Sequence, residues 1–405
     1  MQDCKCLIVG AGPVGLALAN LLTHYGIDFR IIDKKPNISE YSKALVIHAK
    51  TLELFEKLNL SHTFIEQGNK VQHANIYADA KHLAEINFSQ IPSSYNYMLS
   101  ISQHDTEKIL EENLLAKHKK VEWNKELIEI RDLGFQHQVK IRNDKHESEE
   151  EVFDYILGCD GAHSSCRKQA GIDFEGGSYD YEFFLADVTL DSNLEQNSIY
   201  SFLTQDRVLF LAPFKETNRW RIITTVPKDY DRDRNAANLD DIHKLTKEIK
   251  AIELKIESAN WLGFFHVHHR MVNEFKKGNL FLLGDAAHIH SPIGGQGMNA
   301  GIHDAFNLAA KLAAVIIGDQ DSTLLDKYEE ERKAIDRNII NGTDAATKFI
   351  LTRNFFTHNL QKFLIPKLAE NEEVMKKLLR NAAMLPDVEE PSSPESESLL
   401  KLLAQ

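Results

Sequence analysis

The stretch "LIVGAGPVGLALANLL", residues 7–22, constrains the fold more than any other part of the chain. Leu7, Ile8 and Val9 are a short apolar run of the kind that forms a strand buried on both faces. Gly10, Gly12 and Gly15 follow in a G-x-G-x-x-G turn. Val14, Leu16, Ala17, Leu18, Leu21 and Leu22 then recur at helical spacing, and Gly26 stands where a glycine ends a helix. A second apolar run, Phe29 to Ile32, ends at Asp33. Strand, helix and strand in this minimal length make a βαβ unit. Gly10 permits the tight turn, Gly12 lets the backbone approach a pyrophosphate, and Gly15 lets the helix pack close to the strand. The anion meets the free N–H groups of the helix's first turn, which Pro13 and Val14 open. Asp33 stands eighteen residues after Gly15, where a carboxylate takes both hydroxyls of a ribose, with Lys34 beside it. The motif predicts a dinucleotide site but does not say which dinucleotide.

The remaining chain sorts into alternating blocks. With 405 residues there is length for two or three structural units. The patterning predicts an α/β fold: a Rossmann-like domain in three pieces, residues 1–70, 103–178 and 268–345, with a β-sheet-rich domain inserted as 71–102 and 179–267. Helices are expected at Thr51 to Leu58, across "SQHDTEKILEENLLAKH", at Asp240 to Lys250, and after Asn299. Residues 346–385 are apolar and basic at helical spacing, a C-terminal helical region. The polar tail 386–405 has the composition of a disordered spacer. A formal charge of −13 argues against nucleic acid as a partner, and the basic run Lys117 to Lys120 is a solvated helix end. Four cysteines without a C-x-x-C pair, no leader-like N-terminus and no long uncharged apolar stretch predict a cytoplasmic protein with reduced thiols.

Two further turns belong at the same sheet edge as Gly10. In "GCDGAHSSCR", Gly158 to Arg167, an Asp-Gly turn follows a buried strand. Asp160 either presents its carboxylate to a ligand there, or belongs to a turn leading into a helix capped by Ser164 or Ser165. In "GDAAHIHSPIGGQGMN", Gly284 to Asn299, a buried strand again ends at Gly-Asp. Asp285 suits polyol hydroxyls. Pro292 and the glycines at 294, 295 and 297 let the chain lie flat against a ring system. Met298 and Asn299 start a helix whose N–H groups and dipole, about +0.5 charge, point back at that ring. A flavin needs such donors, because its reduced form carries negative charge near N1 and the C2 carbonyl. His288 and His290, and the group His266, His268 and His269, lack a Cys or a carboxylate at ligand spacing. They are read as structural, with no metal.

Together GAGPVG, GCDGAHSSCR and GDAAHIHSPIGGQGMN resemble, in order and spacing, the three fingerprints of the class A flavin-dependent aromatic hydroxylases, FAD monooxygenases of the para-hydroxybenzoate and phenol hydroxylase kind. "SKALVIHAKTLELFEKLNL", "ISQHDTEKIL" and "FFLADV" are similar to segments between and after them, so the resemblance spans about residues 1–345. It implies FAD as cofactor, with Gly10, Gly12, Pro13, Val14 and Gly15 at the pyrophosphate and Asp33 and Lys34 near the adenosine ribose. Gln103 matches a glutamine at the ribityl chain. Asp160, with Gly161 and Arg167, matches the segment tied to FAD and to transient NAD(P)H. Gly284 and Asp285 match the ribityl or pyrophosphate aspartate. Pro292, Gly295, Gln296, Gly297, Met298 and Asn299 match the bed of the isoalloxazine. Lys43 stands where the family usually has Arg, and lysine lacks the planar bidentate contact. The implied reaction is reduction of FAD by NAD(P)H, then reaction with O2 to a flavin C4a-hydroperoxide that hydroxylates a phenolic or polyketide-like ring. A second G-x-G-x-x-G is absent from the sequence, so NAD(P)H is expected to dock transiently in a groove.

The substrate pocket is expected between the inserted sheet and the flavin ring, with Phe202, Phe210, Phe214 and Trp220 as candidate lining. Tyr181, Tyr200 or a histidine could take the phenolic proton, and the sequence does not choose among them. Residues 346–385 are read as packing or a cover for the pocket entrance in preference to an interfacial membrane helix. Inactivation of an antibiotic by hydroxylation and a non-catalytic flavin-binding sensor are the alternative functions. "RWRIITTVP" lacks the Trp-x-Trp-x-Ile-Pro of flavin halogenases. Nothing in the sequence specifies an oligomeric state.

Overall fold

A computed structural model describes residues 5–40, 44–230, 237–247, 249, 251–318, 320–352 and 355–385. Its helices are α1 (Pro13–Tyr25), α2 (Ala49–Glu56), α3 (Ser61–Gln67), α4 (Gln103–Ala116), α5 (Ser165–Gln169), α6 (Leu239–Thr246), α7 (Gly297–Ile316), α8 (Asp326–Leu351), α9 (Phe355–Glu370) and α10 (Glu372–Ala382). The polar tail, Lys43 and Cys4 lie outside the described residues.

Five parallel strands, in the spatial order Leu280–Leu282, Tyr155–Gly158, Cys6–Val9, Phe29–Asp33 and Glu122–Trp123, form the first sheet, and Lys276–Lys277 adds an antiparallel edge. Its central strand is wholly buried, with Cys6, Leu7 and Ile8 at 0% exposure, as the unbroken apolar run requires. α1 ends at Gly26 in the left-handed conformation (φ +70°), whose N–H returns to Leu22 and Thr23. α1 packs against α7 and α4. Asn20 Nδ2 reaches across to the Leu110 carbonyl at 2.9 Å and sets the register of α1 on α4.

An eight-stranded sheet runs in the order His288–Ile289, Lys255–Val272, Phe174–Asp191, Arg219–Val226, Val208–Pro213, Ser198–Leu203, His73–Ala78 and Lys81–Asn87. All its pairings are antiparallel except that of Ser198–Leu203 with His73–Ala78. The strands Phe174–Asp191 and Lys255–Val272 span 18 residues each and are bent by bulges, so one ribbon runs from the edge of the first sheet into the second. One face packs Phe184, Phe202, Trp220 and Ile222 against Ile242 and Leu245 of α6. The opposite face carries Phe183, Leu203, Val208, Phe210, Ile223 and Phe265, packed with Ile293 from the third glycine-rich turn and with Ile350, Leu351 and Ile365 of α8 and α9.

Several boundaries moved. α6 stops at Thr246, short of the expected Lys250, and begins in a capping box between Asn238 and Asp241. Lys125–Asp132, His137–Asn143 and Ser148–Phe153 form a three-stranded antiparallel sheet that the sequence analysis did not assign. Residues 346–385 complete α8 and form α9 and α10. His358 and Lys362 of α9 hold Asp79 in the turn after His73–Ala78, at 3.1 and 2.8 Å, while Leu360, Phe363 and Leu368 are exposed. Among the described residues no helix is long and apolar enough to cross a membrane.

Candidate cofactor and substrate site

Gly10, Asp160 and Gly284 stand at the carboxyl ends of three adjacent parallel strands. Gly10 has φ +103°, and a Cβ there would overlap the Cys159 carbonyl. A Cβ on Gly15 would overlap the Gly10 carbonyl. Gly12 differs: a Cβ there would meet nothing within 4 Å. Two of the glycines are thus required by packing, and the third faces open space at the N-terminus of α1. Pro13 has no N–H to lose there, and the amides of Val14 and Gly15 have no carbonyl within the helix to meet. The Val14 side chain points away from that space, toward Gly284 and Gly301. Asp33 closes the far side. Its Oδ2 accepts from Ala11 N at 2.8 Å and its Oδ1 from Lys35 N at 2.9 Å, which leaves a lone pair on each oxygen. Lys34 is exposed. Gln103 opens α4 and donates its Nε2 to Glu107 Oε1 at 2.8 Å.

At the second turn the carboxylate is committed to the protein. Asp160 accepts from Ser164 Oγ (2.5 Å) and from the amides of Ser165 (2.6 Å) and Cys166 (3.0 Å), so it satisfies the N-terminus of α5. Ser164 is the cap residue and accepts from Arg167 N. The turn leading into a helix describes Asp160 better than a ligand contact does. Gly161, at φ +76°, has open space beside it. Arg167 is buried and donates to the carbonyls of Ala286 and Ala162, both at 2.8 Å, so it ties the second turn to the third. Its guanidinium stacks 3.9 Å from the Phe174 ring centroid, and Arg270 lies 6.0 Å from the same centroid. Burial and the charge of Arg270 hold Arg167 below its ordinary pKa. The Arg270 side chain makes no hydrogen bond or ion pair among the described residues. Two guanidiniums therefore flank one ring without an anion beside Arg270.

The third turn rests on a buried charge network. Asp304 of α7 accepts from Gly284 N (2.8 Å), His288 Nε2 (2.8 Å) and Arg332 Nε (2.5 Å), and Arg332 Nη2 reaches Asp336 at 2.7 Å. Burial alone would lower His288, but Asp336 and Asp304 outweigh it and push the imidazole up to about 9. The network is then two cations with two anions. His288, Asp304 and Asp336 are close enough together to hold a metal ion, yet the Arg332 guanidinium already bridges both carboxylates. Asp285, in the one-turn helix Gly284–Ala286, is exposed at the sheet edge.

Beyond it the chain turns at two glycines before α7 begins. Gly294 and Gly295 have positive φ (+88° and +65°), and Gly295 N closes a turn onto the Pro292 carbonyl at 2.9 Å. Pro292 is exposed. Gln296 points its amide at the Asn381 carbonyl, 3.1 Å away, beside the end of α10. Asn299 is at 0% exposure, and its side chain is fully engaged. Its Oδ1 accepts from His48 N (3.0 Å) and Thr51 Oγ1 (2.8 Å), and its Nδ2 donates to the carbonyls of Val46 and Gly295, both at 2.9 Å. Of Asn299, only the backbone is therefore left to meet a ligand. The amides of Gly297, Met298 and Asn299 remain free of helical partners in the first turn of α7. His48 adds a tether that the sequence analysis missed, with Nε2 2.8 Å from the Gly294 carbonyl. A histidine in an otherwise apolar run between strand and helix was the available signal.

The two faces of the eight-stranded sheet correct two assignments. Phe202 and Trp220 lie in the core beneath α6, on the face turned away from the glycine-rich bed. Phe214 is buried beneath the guanidiniums of Arg219 (4.5 Å) and Arg221 (5.4 Å). Phe210 is half-buried on the face that meets Ile293. Alternation along the paired strands puts Ser201, Ile223 and Leu185 in its row. Tyr200 is buried in the other core and accepts from Glu195 N through its hydroxyl, whereas Tyr181 sits beside the bed-facing face. Arg221, also missed, pairs twice with Asp187 (2.7 and 2.8 Å) and donates to the Ala44 carbonyl at 3.2 Å, next to Lys43. An arginine in a run of apolar strand residues, "RWRIITTV", was its signal.

These features fit FAD. Open main-chain donors lie at the N-termini of α1 and α7. Two buried imidazole acceptors border the bed: His48 Nδ1 and His290 Nε2 have no partner. His290 donates Nδ1–H to the Ser291 carbonyl, and a Cβ on Gly297 would sit 3.8 Å from its Nε2. Burial lowers His48 to about 4; burial and the charge of His288 do the same to His290.

The family described as FAD binding domain matches residues 3–343. The chain is 32% identical over 352 residues to 6-methylpretetramide 4-monooxygenase of Streptomyces rimosus, covering 86% of this chain and 63% of that protein. It is 30% identical over 361 residues to pentachlorophenol 4-monooxygenase of Sphingobium chlorophenolicum, covering 86% and 65%. The chain thus spans less than two thirds of the length of these two relatives. The crystal structure of p-nitrophenol 4-monooxygenase from Pseudomonas putida superposes with a TM-score of 0.84 at 20% identity, covering 95% of this chain and all of the other. That likeness concerns the fold.

Proposed function

The chain belongs to the FAD-binding family of class A flavin-dependent aromatic hydroxylases, and from that premise we propose that it hydroxylates a phenolic or polyketide-like small molecule at the expense of NAD(P)H and O2. FAD, when bound, supplies two-electron reduction by the nicotinamide and activation of O2. The remaining steps belong to this chain's residues. Residues 1–70, 103–178 and 268–345 hold the cofactor, and 71–102 with 179–267 wall the substrate. The N-terminus of α1 and Asp33 take the adenosine diphosphate half. The first amides of α7 stabilise negative charge at the pyrimidine end, where fixed donors act without reorganising. Phe210, Ile223 and Leu185 give the substrate an apolar wall and keep water from the reacting face. Arg270, with Arg167 behind Phe174, receives the phosphates of NAD(P)H; an anion there would relieve the repulsion between the two guanidiniums. The Arg221–Asp187 pair fixes the segment around Ala44 against the sheet. A cytoplasmic setting, with NAD(P)H at hand, is part of the same proposal.

The observation that carries the reading is the apposition of the 294–299 bed and α7 with a half-buried aromatic sheet face, joined through Ile293. Incubation with NAD(P)H, O2 and a panel of phenols and polycyclic aromatics tests it. Stimulated NAD(P)H oxidation with a product gaining one oxygen is expected. A protein that takes up FAD but consumes no O2 with any ligand would be a flavin-binding sensor instead.

A further inference from the structure

The second turn of α7 carries a buried glycine, Gly301, to which the proposed chemistry gives no role. It lies one turn beyond the amides that open the helix. A Cβ on Gly301 would stand 2.5 Å from Val14 Cγ2 and 2.9 Å from Gly284 Cα. Gly284 is closed from its own side as well. A Cβ there would stand 2.9 Å from the same Val14 methyl and 3.6 Å from Gly301 Cα. Val14 belongs to the first turn of α1, Gly284 follows the strand Leu280–Leu282, and Gly301 belongs to α7. Three elements thus meet in one junction with no room for a further carbon. Hydrogen bonds lock it. Asp304, three residues on in α7, accepts from Gly284 N at 2.8 Å, and Arg332 of α8 donates to Asp304 and to the Ala300 carbonyl.

The junction sits near two helix N-termini. Val14 is the second residue of α1 and Gly301 the fifth of α7, so each helix starts within about 6 Å, along its axis, of the contact. α1 is held on its other side, since a Cβ on Gly15 would overlap the Gly10 carbonyl and one on Gly10 the Cys159 carbonyl. A carbon added to the junction therefore drives the two first turns apart. We propose that Gly301 is a positioning residue for the cofactor: its missing side chain sets the separation of the α1 and α7 N-termini, which bound FAD spans from its pyrophosphate to its pyrimidine ring. The inference rests on the reading that FAD meets both helix starts. Hydrogen bonds hold only over a few tenths of an ångström in length, so a cofactor seated on one helix loses its donors on the other when they move apart. A ligand that meets only α1, such as ADP, is indifferent to that separation.

The test uses the full chain stripped of FAD, with Gly301→Ala made alone and in a Val14→Ala background. FAD is titrated by fluorescence and ADP by calorimetry. Gly301→Ala is expected to weaken FAD about tenfold or more, the scale of one lost hydrogen bond to a charged group, and to leave ADP within twofold. Val14→Ala removes the methyl nearest the new Cβ, so in that background the same substitution should cost FAD less. If Gly301→Ala alone does not fold, the double variant against Val14→Ala carries the test, with FAD weaker and ADP unchanged. A glycine needed only for stability would lower Tm and move FAD and ADP together or not at all. Folded Gly301 variants that bind FAD within twofold of their reference overturn the inference. So does ADP falling in step with FAD, or a loss undiminished by Val14→Ala. A parent protein that binds no FAD, or binds it no more tightly than ADP, overturns the reading of the groove instead, so the two failures are distinguishable.

Discussion

Asn299→Ala separates two roles for a residue in the first turn of α7. The sequence suggested a cofactor contact. The structure gives its side chain four hydrogen bonds of 2.8 to 3.0 Å at zero exposure, joining α7 to the Val46 carbonyl, the His48 amide and Thr51. Truncation strands the His48 N–H and two carbonyls, each a loss of about 1–3 kcal/mol if nothing replaces it. Thr51 retains His303, 2.9 Å away, and one water fits the space of the lost amide, which recovers part of that sum. A destabilisation of about 3 kcal/mol remains. For a domain of this size that shifts Tm by roughly 6–12 °C. The assay is thermal unfolding of the FAD-free protein, followed by FAD titration at a temperature where both forms are folded. A lower Tm without FAD, and FAD affinity within a few-fold of the parent, is expected. An unchanged Tm of the FAD-free protein with collapsed FAD affinity would refute the reasoning, since it would make the side chain a ligand of the cofactor.

Arg270→Ala should raise the KM for NAD(P)H at least several-fold and leave FAD content unchanged; steady-state kinetics and the flavin-to-protein ratio check both halves. Phe202→Ala should cost about 3–5 kcal/mol of stability, as a large core truncation, whereas Phe210→Ala should cost less and change substrate KM. Stability should peak near pH 6.5. His48 and His290, lowered to about 4, and His303, lowered to about 3, are buried neutral, so their contribution is lost as pH falls from 6.5 through those values. His288, raised to about 9, contributes fully below 6.5 and loses that contribution as pH rises through 9. His288→Gln should therefore flatten the alkaline side of a Tm-against-pH curve and leave the acid side.

How far the sequence carried these conclusions depended on whether a property was local. The Gly10 turn, α1 and the strand to Asp33 are specified within thirty residues by apolar period and glycine placement, and their geometry needed nothing from afar. Asp160 and Asn299 were harder because a residue type does not say what it faces. Asp160 is spent on amides five and six positions away, and Asn299 on partners some 250 positions away. The strand alternation that separates Phe210 from Trp220 was visible, but not which face each set takes. That is decided by α6 covering one side and Ile293 the other. Arg270 is conspicuous only once its neighbours Arg167 and Phe174, about a hundred positions earlier, are brought beside it.

The most direct measurement is the mass of the product formed from a phenolic or polycyclic substrate under isotopically labelled O2, with NAD(P)H and the FAD-loaded protein. One labelled oxygen atom in the product, with NAD(P)H consumed in proportion, is expected. FAD bound at the groove but no labelled product with any aromatic ligand, or oxygen drawn from water instead, would contradict the assignment of this chain as a monooxygenase.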